Sequence, residues 1–375
     1  MIDVFEATAE FVSHDSSSKK SNAGVSRAIS KWMRKVGLKV EQIEYDDGVK
    51  KVNLVGKKGK GTGGLALMAH CDVVPAEDWV ATPDPFKLTA KGSKVYGRGS
   101  ADMKGSIACM LAAVERLPLS ELKCPVYVVT TSDEEVGCFG AEAVQKRSRT
   151  LRQSKVRYGV IGEPTMLDVV YAHKGSSVIQ VLSKGRSAHS STGKGINANH
   201  KLIPFLNDMV QLGAKLQATK KWQHKDFTPP YVGWNIVMGD GGTASNITAP
   251  ESHATINCRQ MPGQDWSPIF KQVRQSAKKH GVQVNIHNNL SPLDTPIDSR
   301  VIREALAVTG KRKPKTAAYG TDGMVFGTEM ELVVMGPGDI QQAHTNNEWM
   351  ENDQFAQGIN AFEAMIRRFC IEDPE

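Results

Sequence analysis

Residues 64–72 read Gly-Leu-Ala-Leu-Met-Ala-His-Cys-Asp, an apolar run that ends in a histidine and an aspartate. A short, continuously apolar run followed by polar residues predicts a buried strand. Residues 126–131 and 158–161 have the same character, and β-branched residues dominate the first of them. Strands of this kind are typical of a parallel sheet whose two faces are both covered.

A helix-like pattern separates the first two of these strands. Its apolar side chains recur at a spacing of three or four residues and are Met103, Ile107, Met110, Leu111, Val114 and Leu117. After residue 290 the alternation of strands and helices resumes, with a strand at 332–335 and a final helix near 353–370. Strands that alternate with helices predict an α/β fold, with a mixed, largely parallel sheet and helices on both faces.

The segment 173–287 has a different pattern of apolar and polar residues. Its first strand, 176–183, alternates apolar and polar residues, and a helix-like stretch follows at 198–213. Two further strands, a second helix and a last strand complete a βαββαβ order, which predicts a small α+β sandwich. We therefore expect two domains, a discontinuous one at 1–172 and 288–375 and an inserted one at 173–287.

The composition is that of an ordinary globular chain of 375 residues, of which 40% are hydrophobic and 23% are charged. The net charge of +7 includes scattered lysine pairs without interleaved aromatic residues, so we expect no nucleic-acid partner. No apolar run reaches eighteen residues, and the first twenty residues contain no apolar signal core. We therefore expect a cytoplasmic protein with no membrane partner.

Acids and histidines concentrate where the predicted strands end or the predicted helix begins. They are His70, Asp72, Asp102, Glu134, Glu135, Glu163 and His344. Functional sites in parallel α/β sheets form at the carboxyl ends of the strands, so we expect these side chains to converge. Two imidazoles and several carboxylates suit Zn²⁺, with Co²⁺ or Mn²⁺ as substitutes.

Each of these residues also has an ordinary structural interpretation. Asp102 could cap the helix that follows it, and His70 could be a buried, hydrogen-bonded histidine. Glu134 and Glu135 could be a solvated loop pair. Several unpaired carboxylates beside apolar strands are costly to bury, however, so the combined pattern favours a shared divalent cation. Because adjacent residues of a strand point to opposite faces, one of these two glutamates could ligate while the other acts as a base.

Five motifs of the chain resemble those of the M20 family of zinc-dependent amidohydrolases and peptidases. They are Met68-Ala-His-Cys-Asp-Val-Val-Pro75, Tyr96-Gly-Arg-Gly-Ser-Ala-Asp-Met-Lys-Gly105, Thr131-Ser-Asp-Glu-Glu135, Gly162-Glu-Pro-Thr165 and Ala343-His344. The chain looks most like the branch that holds acetylornithine deacetylase and succinyl-diaminopimelate desuccinylase. The resemblance implies a zinc-exopeptidase-like catalytic domain with two Zn²⁺ ions per subunit. It also implies that the inserted segment is a lid that joins two subunits into a homodimer.

The resemblance assigns five metal ligands. Asp102 would bridge the two ions. One ion would be completed by His70 and Glu163, and the other by Glu135 and His344. The peptide bond that follows such a bridging aspartate is often cis in this family.

Two further carboxylates have implied roles beside the ions. Asp72 would fix the tautomer of His70, as carboxylates behind ligating imidazoles commonly do. Glu134 would be the general base and later the proton donor to the leaving amine.

The inserted segment resembles the family's lid through Gly185-Arg-Ser-Ala-His-Ser190 and Gly241-Gly-Thr-Ala-Ser-Asn246. His189 would reach the active site of the partner subunit and stabilise the oxyanion. Asn246 and Arg259 would hold the α-carboxylate of the substrate, a task that suits a planar guanidinium. Gly320 and Thr321 belong to a loop, Gly320-Thr-Asp-Gly323, that would lie near the substrate.

The expected reaction is hydrolysis of the amide bond of a small N-acyl amino acid. The motifs divide between the acetylornithine and the succinyl-diaminopimelate branches, so the acyl group stays open. A dipeptidase or aminopeptidase of the same family is the first alternative, and a non-catalytic metal-binding relative is the second. A complete ligand set together with Glu134 argues against the second alternative.

Overall fold

The computed structural model describes residues 2–372 and divides them into two compact units. The larger unit comprises residues 2–172, 294–315 and 321–372, and the smaller unit comprises residues 173–293 and 316–320. The elements of both units alternate between helices and strands along most of the chain. The expected α/β class is confirmed.

Strands occur along most of the chain. They are β1 (Lys39–Asp46), β2 (Lys50–Lys58), β3 (Leu65–His70), β4 (Thr89–Lys91), β5 (Lys94–Tyr96), β6 (Val126–Thr131), β7 (Tyr158–Ile161), β8 (Val170–His173), β9 (Ser176–Lys184), β10 (Gly233–Gly239), β11 (Glu251–Arg259), β12 (Gln283–Leu290), β13 (Leu293–Asp294), β14 (Lys315–Ala317), β15 (Glu331–Val334) and β16 (Trp349–Glu351). The helices are α1 (Val4–Val12), α2 (Ala23–Lys35), α3 (Lys104–Glu115), α4 (Glu134–Gly137), α5 (Phe139–Arg147), α6 (Arg149–Arg152), α7 (Ala198–Ala218), α8 (Ser267–His280), α9 (Arg300–Thr309), α10 (Gly323–Phe326) and α11 (Asn352–Arg367).

The principal sheet is mixed, with four parallel strands at its centre. Its order is β1-β2-β6-β3-β7-β15-β8-β13, and β14 pairs with β8. The strands β6, β3, β7 and β15 are parallel to their neighbours within this group, whereas β1, β2 and β8 join antiparallel. Every residue of β3, β6 and β7 is buried, as expected for strands that are covered on both faces.

Helix α3 lies at the centre of the larger unit's core. All of its residues except Glu115 are buried, and it packs against α1, α11 and β3. A helix that is buried on every side has no solvent face, so it forms only when neighbours surround it. This packing fixes the start of α3, and with it the turn that carries Asp102.

The smaller unit has the predicted βαββαβ order. Its four strands form an antiparallel sheet in the order β10-β11-β9-β12. Buried and exposed residues alternate along β11, and α7 and α8 pack against strands of the sheet. This is the pattern of a sheet with one face on a helical layer.

Two parts of the larger unit lie outside the sequence-based predictions. One is the antiparallel pair β1 and β2, in which Lys39 pairs with Lys57 and Asp46 with Lys50. The other is a small sheet of three short strands in the order β16-β5-β4. Among residues 2–372, none of the helices combines the length and the apolar composition that a membrane crossing needs.

Candidate metal centre

The predicted ligands meet in the larger unit because the central strands are parallel neighbours. His70 is the last residue of β3, and Glu163 follows β7 by two residues. Glu135 follows β6, and His344 lies in the loop beyond β15. Asp102 stands two residues before α3. Parallel strands end at the same edge of a sheet, so side chains that follow them share one crevice.

The carboxylate of Asp102 lies between the two imidazoles. Its Oδ1 atom is 3.1 Å from Nε2 of His70, and its Oδ2 atom is 3.6 Å from Nε2 of His344. Asp102 and His70 are buried, whereas His344 is exposed. The Asp102–Met103 peptide bond is cis, as the resemblance implies. Each carboxylate oxygen of Asp102 therefore lies near a different histidine.

Each imidazole has a second carboxylate beside it. The Nε2 atom of His344 is 2.8 Å from Oε2 of Glu135, and Nε2 of His70 is 3.9 Å from Oε1 of Glu163. One ligand atom from each of His70, Asp102 and Glu135 lies within 4.8 Å of the other two. The site therefore contains two groups of ligands, each with one histidine and one glutamate, and Asp102 belongs to both groups.

Asp72 connects the ligand His70 to the turn that carries the adjacent glutamates. Its Oδ1 atom is 3.5 Å from Nδ1 of His70 and accepts the backbone N–H of Glu134 at 3.3 Å. Its Oδ2 atom accepts the backbone N–H of Glu135 at 3.3 Å and the hydroxyl of Ser18 at 3.0 Å. The carboxylate of Asp72 thus holds two neighbouring backbone groups and lies beside the imidazole, whose Nδ1 atom is 3.0 Å from the backbone carbonyl oxygen of Asp72.

The electrostatics of the crevice favour a cation. Burial, followed by the charge of Asp102, raises the pKa of Glu163 and of Glu135 above the ordinary value. Burial also raises the pKa of Glu134, and the charges of Glu163 and Glu135 add to the effect. Burial lowers the pKa of His70, but hydrogen bonds to Asp102 and Asp72 outweigh it, so the pKa rises.

These residues fit a divalent metal ion. Crowded, buried carboxylates are destabilised by one another, and a shared cation removes that repulsion. Imidazole nitrogen and carboxylate oxygen are the ligand types that Zn²⁺ takes in catalytic sites.

The expectation that a strand separates Glu134 from Glu135 is wrong. Both residues begin the short helix α4, directly after Asp133, which has a φ of 57° in the left-handed region. Successive residues of a helix point about 100° apart, so the two side chains still diverge. The preceding strand β6 ends at Thr131, as predicted, and the strand conformation does not continue to the two glutamates.

Several residues that support the crevice have no role assigned to them from the sequence. Asp133 accepts hydrogen bonds from the ammonium of Lys51 and from the hydroxyl of Tyr45, both at 2.6 Å. Asp322 is buried and accepts a hydrogen bond from the hydroxyl of Thr131. Burial raises the pKa of Asp322 to about 6, although the bond from Thr131 lowers it. Asp133 and Asp322 stand inside quoted motifs, but their partners lie more than sixty residues away.

The remaining predicted residues, apart from Thr321, belong to the smaller unit. The loops of His189 and Asn246 adjoin each other, because the backbone N–H of Ser190 donates to the carbonyl of Asn246 at 2.9 Å. Arg259 is the last residue of β11, in register with Gly233. In the last motif, Gly320 ends the smaller unit, and Thr321 is a buried residue of the larger unit.

Comparison with known proteins finds one matching family model and curated proteins that are similar over nearly the whole chain. A model of the peptidase family M20/M25/M40 matches residues 66–368. The acetylornithine deacetylase of Photorhabdus laumondii is 29% identical over 377 residues, which cover 98% of this chain and 96% of the relative. The acetylornithine deacetylase of Salmonella arizonae is 30% identical over 374 residues, which cover 97% and 95% respectively.

Solved structures are similar over the whole length. An M20 family metallo-carboxypeptidase from Sulfolobus solfataricus has a TM-score of 0.78 at 18% identity, with 98% of this chain and 99% of that chain covered. A di-peptidase from Saccharomyces cerevisiae has a TM-score of 0.77 at 14% identity, with 99% and 96% covered. Likeness at such low identity concerns the fold alone.

Proposed function

This chain belongs to the peptidase family M20/M25/M40 and is a metal-dependent hydrolase of amide bonds, and we propose that its substrate is an N-acyl amino acid. N-acetyl-ornithine is the first substrate to test, because the similar curated proteins are acetylornithine deacetylases. The observation that carries the proposal is the position of Asp102. Its two oxygens face two different imidazoles, with Glu134 on the adjacent turn.

The proposed metal is Zn²⁺, two ions per subunit, with Co²⁺ or Mn²⁺ as substitutes. Asp102 would bridge the ions. His70 and Glu163 would complete one set of ligands, and Glu135 and His344 the other. When bound, divalent ions polarise the scissile carbonyl and lower the pKa of a bound water toward about 7.

The residues of the chain perform the proton transfers and the positioning. Glu134 would take the proton of the attacking water at its carboxylate and return it to the nitrogen of the leaving amine. The hydrogen bond from its backbone N–H to Asp72 holds the start of α4 in place. Asp72 would keep His70 oriented toward Asp102 while this proton moves.

Most of the residues that would recognise the substrate belong to the smaller unit. Arg259 and Asn246 would bind its α-carboxylate, and the Gly320–Thr321 loop would lie beside it. His189 of the partner subunit would stabilise the oxyanion of the tetrahedral intermediate. The Nδ1 atom of His189 is 2.7 Å from the hydroxyl of Ser191, so Nε2 is the ring nitrogen that would reach the substrate.

Replacing Glu134 tests the mechanism. In Glu134→Gln, a neutral amide cannot accept the proton, so kcat should fall by about 10²–10⁴-fold while the metal content stays at the wild-type value. The measurements are steady-state hydrolysis and metal analysis of the purified protein.

The matched control is Glu142→Gln, which removes a carboxylate that pairs with Lys146 on the surface of α5. It should leave both kcat and metal content unchanged. Wild-type turnover in Glu134→Gln would remove Glu134 from the mechanism. Zinc binding by the wild type without any turnover would support the non-catalytic alternative.

The description of the family as peptidases favours a second candidate, hydrolysis of a dipeptide. The two reactions break the same kind of bond and differ in the group on the carbonyl side. Relative kcat/KM for N-acyl amino acids and dipeptides separates them.

A further inference from the structure

Glu348 is a buried carboxylate that accepts four hydrogen bonds. Its Oε2 atom accepts from Nη1 of Arg98 at 2.9 Å and from the backbone N–H of Gly99 at 2.8 Å. Its Oε1 atom accepts from the backbone N–H of Ala101 at 2.8 Å and of Asp102 at 3.0 Å. Only 1% of Glu348 is exposed.

These donors belong to the turn that leads into α3 and carries Asp102. The turn has no strand partner for these N–H groups, and buried backbone donors must be satisfied. Gly99 has a φ of 85°, and a Cβ atom there would lie 2.8 Å from Cγ1 of Val73. The turn is therefore defined by a glycine conformation and by the carboxylate of Glu348.

Arg98 compensates the charge of the buried carboxylate of Glu348. Its guanidinium is almost fully buried, and Nη2 donates to the carbonyl of Pro75 at 3.3 Å. A buried charge is tolerated when it is paired and its other hydrogen bonds are made. Glu348 satisfies both conditions, so its carboxylate is held in one position by the ion pair and the hydrogen bonds.

Glu348 also lies four residues beyond His344, in the same loop-to-strand segment. The segment is fixed to the turn a second time, because the backbone N–H of Gly97 donates to the carbonyl of Glu348 at 3.2 Å. One residue thus joins the backbone of Asp102 to the segment that carries His344. The Oδ2 atom of Asp102 and Nε2 of His344 are 3.6 Å apart.

We propose that Glu348 is a positioning residue of the metal centre, which sets the separation of Asp102 and His344 before any ion binds. The inference rests on the proposed function, because it requires both residues to be metal ligands. Groups that orient metal ligands typically change metal affinity by about 10–100-fold when they are replaced.

The test is zinc binding to the metal-free protein, measured by calorimetric titration. Glu348→Gln keeps the size of the side chain but replaces one acceptor oxygen by an NH₂ group, so two of the four donors lose their acceptor. Zinc affinity should fall by about 10–100-fold. The control is Glu351→Gln, a more exposed carboxylate in the same segment that lies 3.8 Å from Lys94, and it should keep wild-type affinity.

A second readout separates positioning from simple stability. The unfolding temperature of each metal-free variant is measured, and again after zinc is added. A positioning role predicts that Glu348→Gln loses part of the increase in unfolding temperature that zinc causes. A lower metal-free unfolding temperature with unchanged zinc affinity would overturn the proposal.

If Glu348→Gln is not recovered folded, Arg98→Gln replaces it in the same titration. This variant leaves the three backbone donors in place but removes the ionic partner of the buried carboxylate, so zinc affinity should still fall, by less than about 100-fold. Unchanged affinity in Arg98→Gln would overturn the proposal. Wild-type protein that binds no zinc would overturn the proposed function as well, whereas equal binding by wild type and Glu348→Gln would overturn this inference alone.

Discussion

At the scale of single residues, Asp72 shows how one side chain serves both the metal and the base. It contacts the ligand His70 on one side and the backbone of Glu134 and Glu135 on the other. Asp72→Asn replaces one acceptor oxygen by a donor, so at least one of these contacts is lost. We predict a loss of about 10–100-fold in metal affinity or kcat/KM.

The matched control for this prediction is Asp168→Asn. Asp168 pairs with Lys311 and Lys315 on the surface of the larger unit. Surface ion pairs contribute little, so this variant should keep wild-type kcat/KM and metal content. A wild-type metal affinity and kcat/KM in Asp72→Asn would show that the contacts of Asp72 do not matter.

His173 makes the stability of the chain depend on pH. Burial lowers its pKa from 6.5 to about 4, and the charge of Arg259 adds to the effect, although the carbonyl of Lys174 opposes it. Above pH 6.5 both folded and unfolded forms are neutral. Between pH 6.5 and pH 4 only the unfolded form gains the proton, so stability falls by up to about 3 kcal/mol as the pH drops.

Urea unfolding at pH 7.5 and pH 5 measures this effect. His173→Gln should unfold with a smaller difference between the two pH values than the wild type. His200→Gln, at an exposed position of α7, should retain the wild-type difference. An identical pH dependence in His173→Gln would contradict the assignment.

Several of the candidate ligands could be predicted from the sequence because they stand directly beside an apolar strand or helix. His70 and Glu163 are examples, since the run before each is continuously apolar. Glu348 and Lys51 could not be found in this way. Their partners, Arg98 and Asp133, are 250 and 82 residues distant, and only the folded chain brings them together.

At the scale of elements, α3 is expected to be the most sensitive helix. Leu111 is fully buried in the hydrophobic core, where α3 packs against the sheet and against α1 and α11. Leu111→Ala leaves a cavity there and should lower the free energy of unfolding by about 2–5 kcal/mol. The exposed Leu119, just beyond the helix, provides the control Leu119→Ala, which should change stability by less than about 0.5 kcal/mol.

Both variants are compared by chemical denaturation followed by circular dichroism. Equal stability of the two variants would mean that the site at Leu111 collapses without cost. Such a result would contradict a tightly packed core around α3.

Apolar patterns in the sequence correctly predict several strands and helices. The predicted strands at 126–131 and 158–161 and the predicted helix at 267–280 coincide with β6, β7 and α8. The pair β1 and β2 was not predicted, because charged residues interrupt the alternation in β1 and its exposed pattern resembles a loop. The short strands β4, β5 and β16 have only three residues each, too few for a periodic signal.

At the scale of the whole molecule, we expect the smaller unit to join two chains. Val237 and Met238 are exposed on β10, the edge strand of its sheet, and Ile203 and Val210 are exposed one heptad apart on α7. Exposed apolar side chains on an edge strand favour pairing with another chain. Light scattering should therefore give twice the chain mass of 40.9 kDa.

Val237→Lys tests this surface, because a lysine on an edge strand opposes pairing. The variant should have the mass of one chain. The control Val80→Lys changes an exposed valine of the larger unit and should leave the mass unchanged. A monomeric wild type would contradict the expected homodimer.

The most direct test of the proposed function is hydrolysis of a substrate panel by the zinc-loaded wild-type protein, with and without a chelator. The panel contains N-acetyl-ornithine, N-succinyl-diaminopimelate, other N-acyl amino acids and dipeptides. We predict turnover of an N-acyl amino acid that a chelator abolishes and added Zn²⁺ restores. Turnover of dipeptides alone, or turnover that a chelator leaves unchanged after the metal has been removed, would contradict a metal-dependent deacylase.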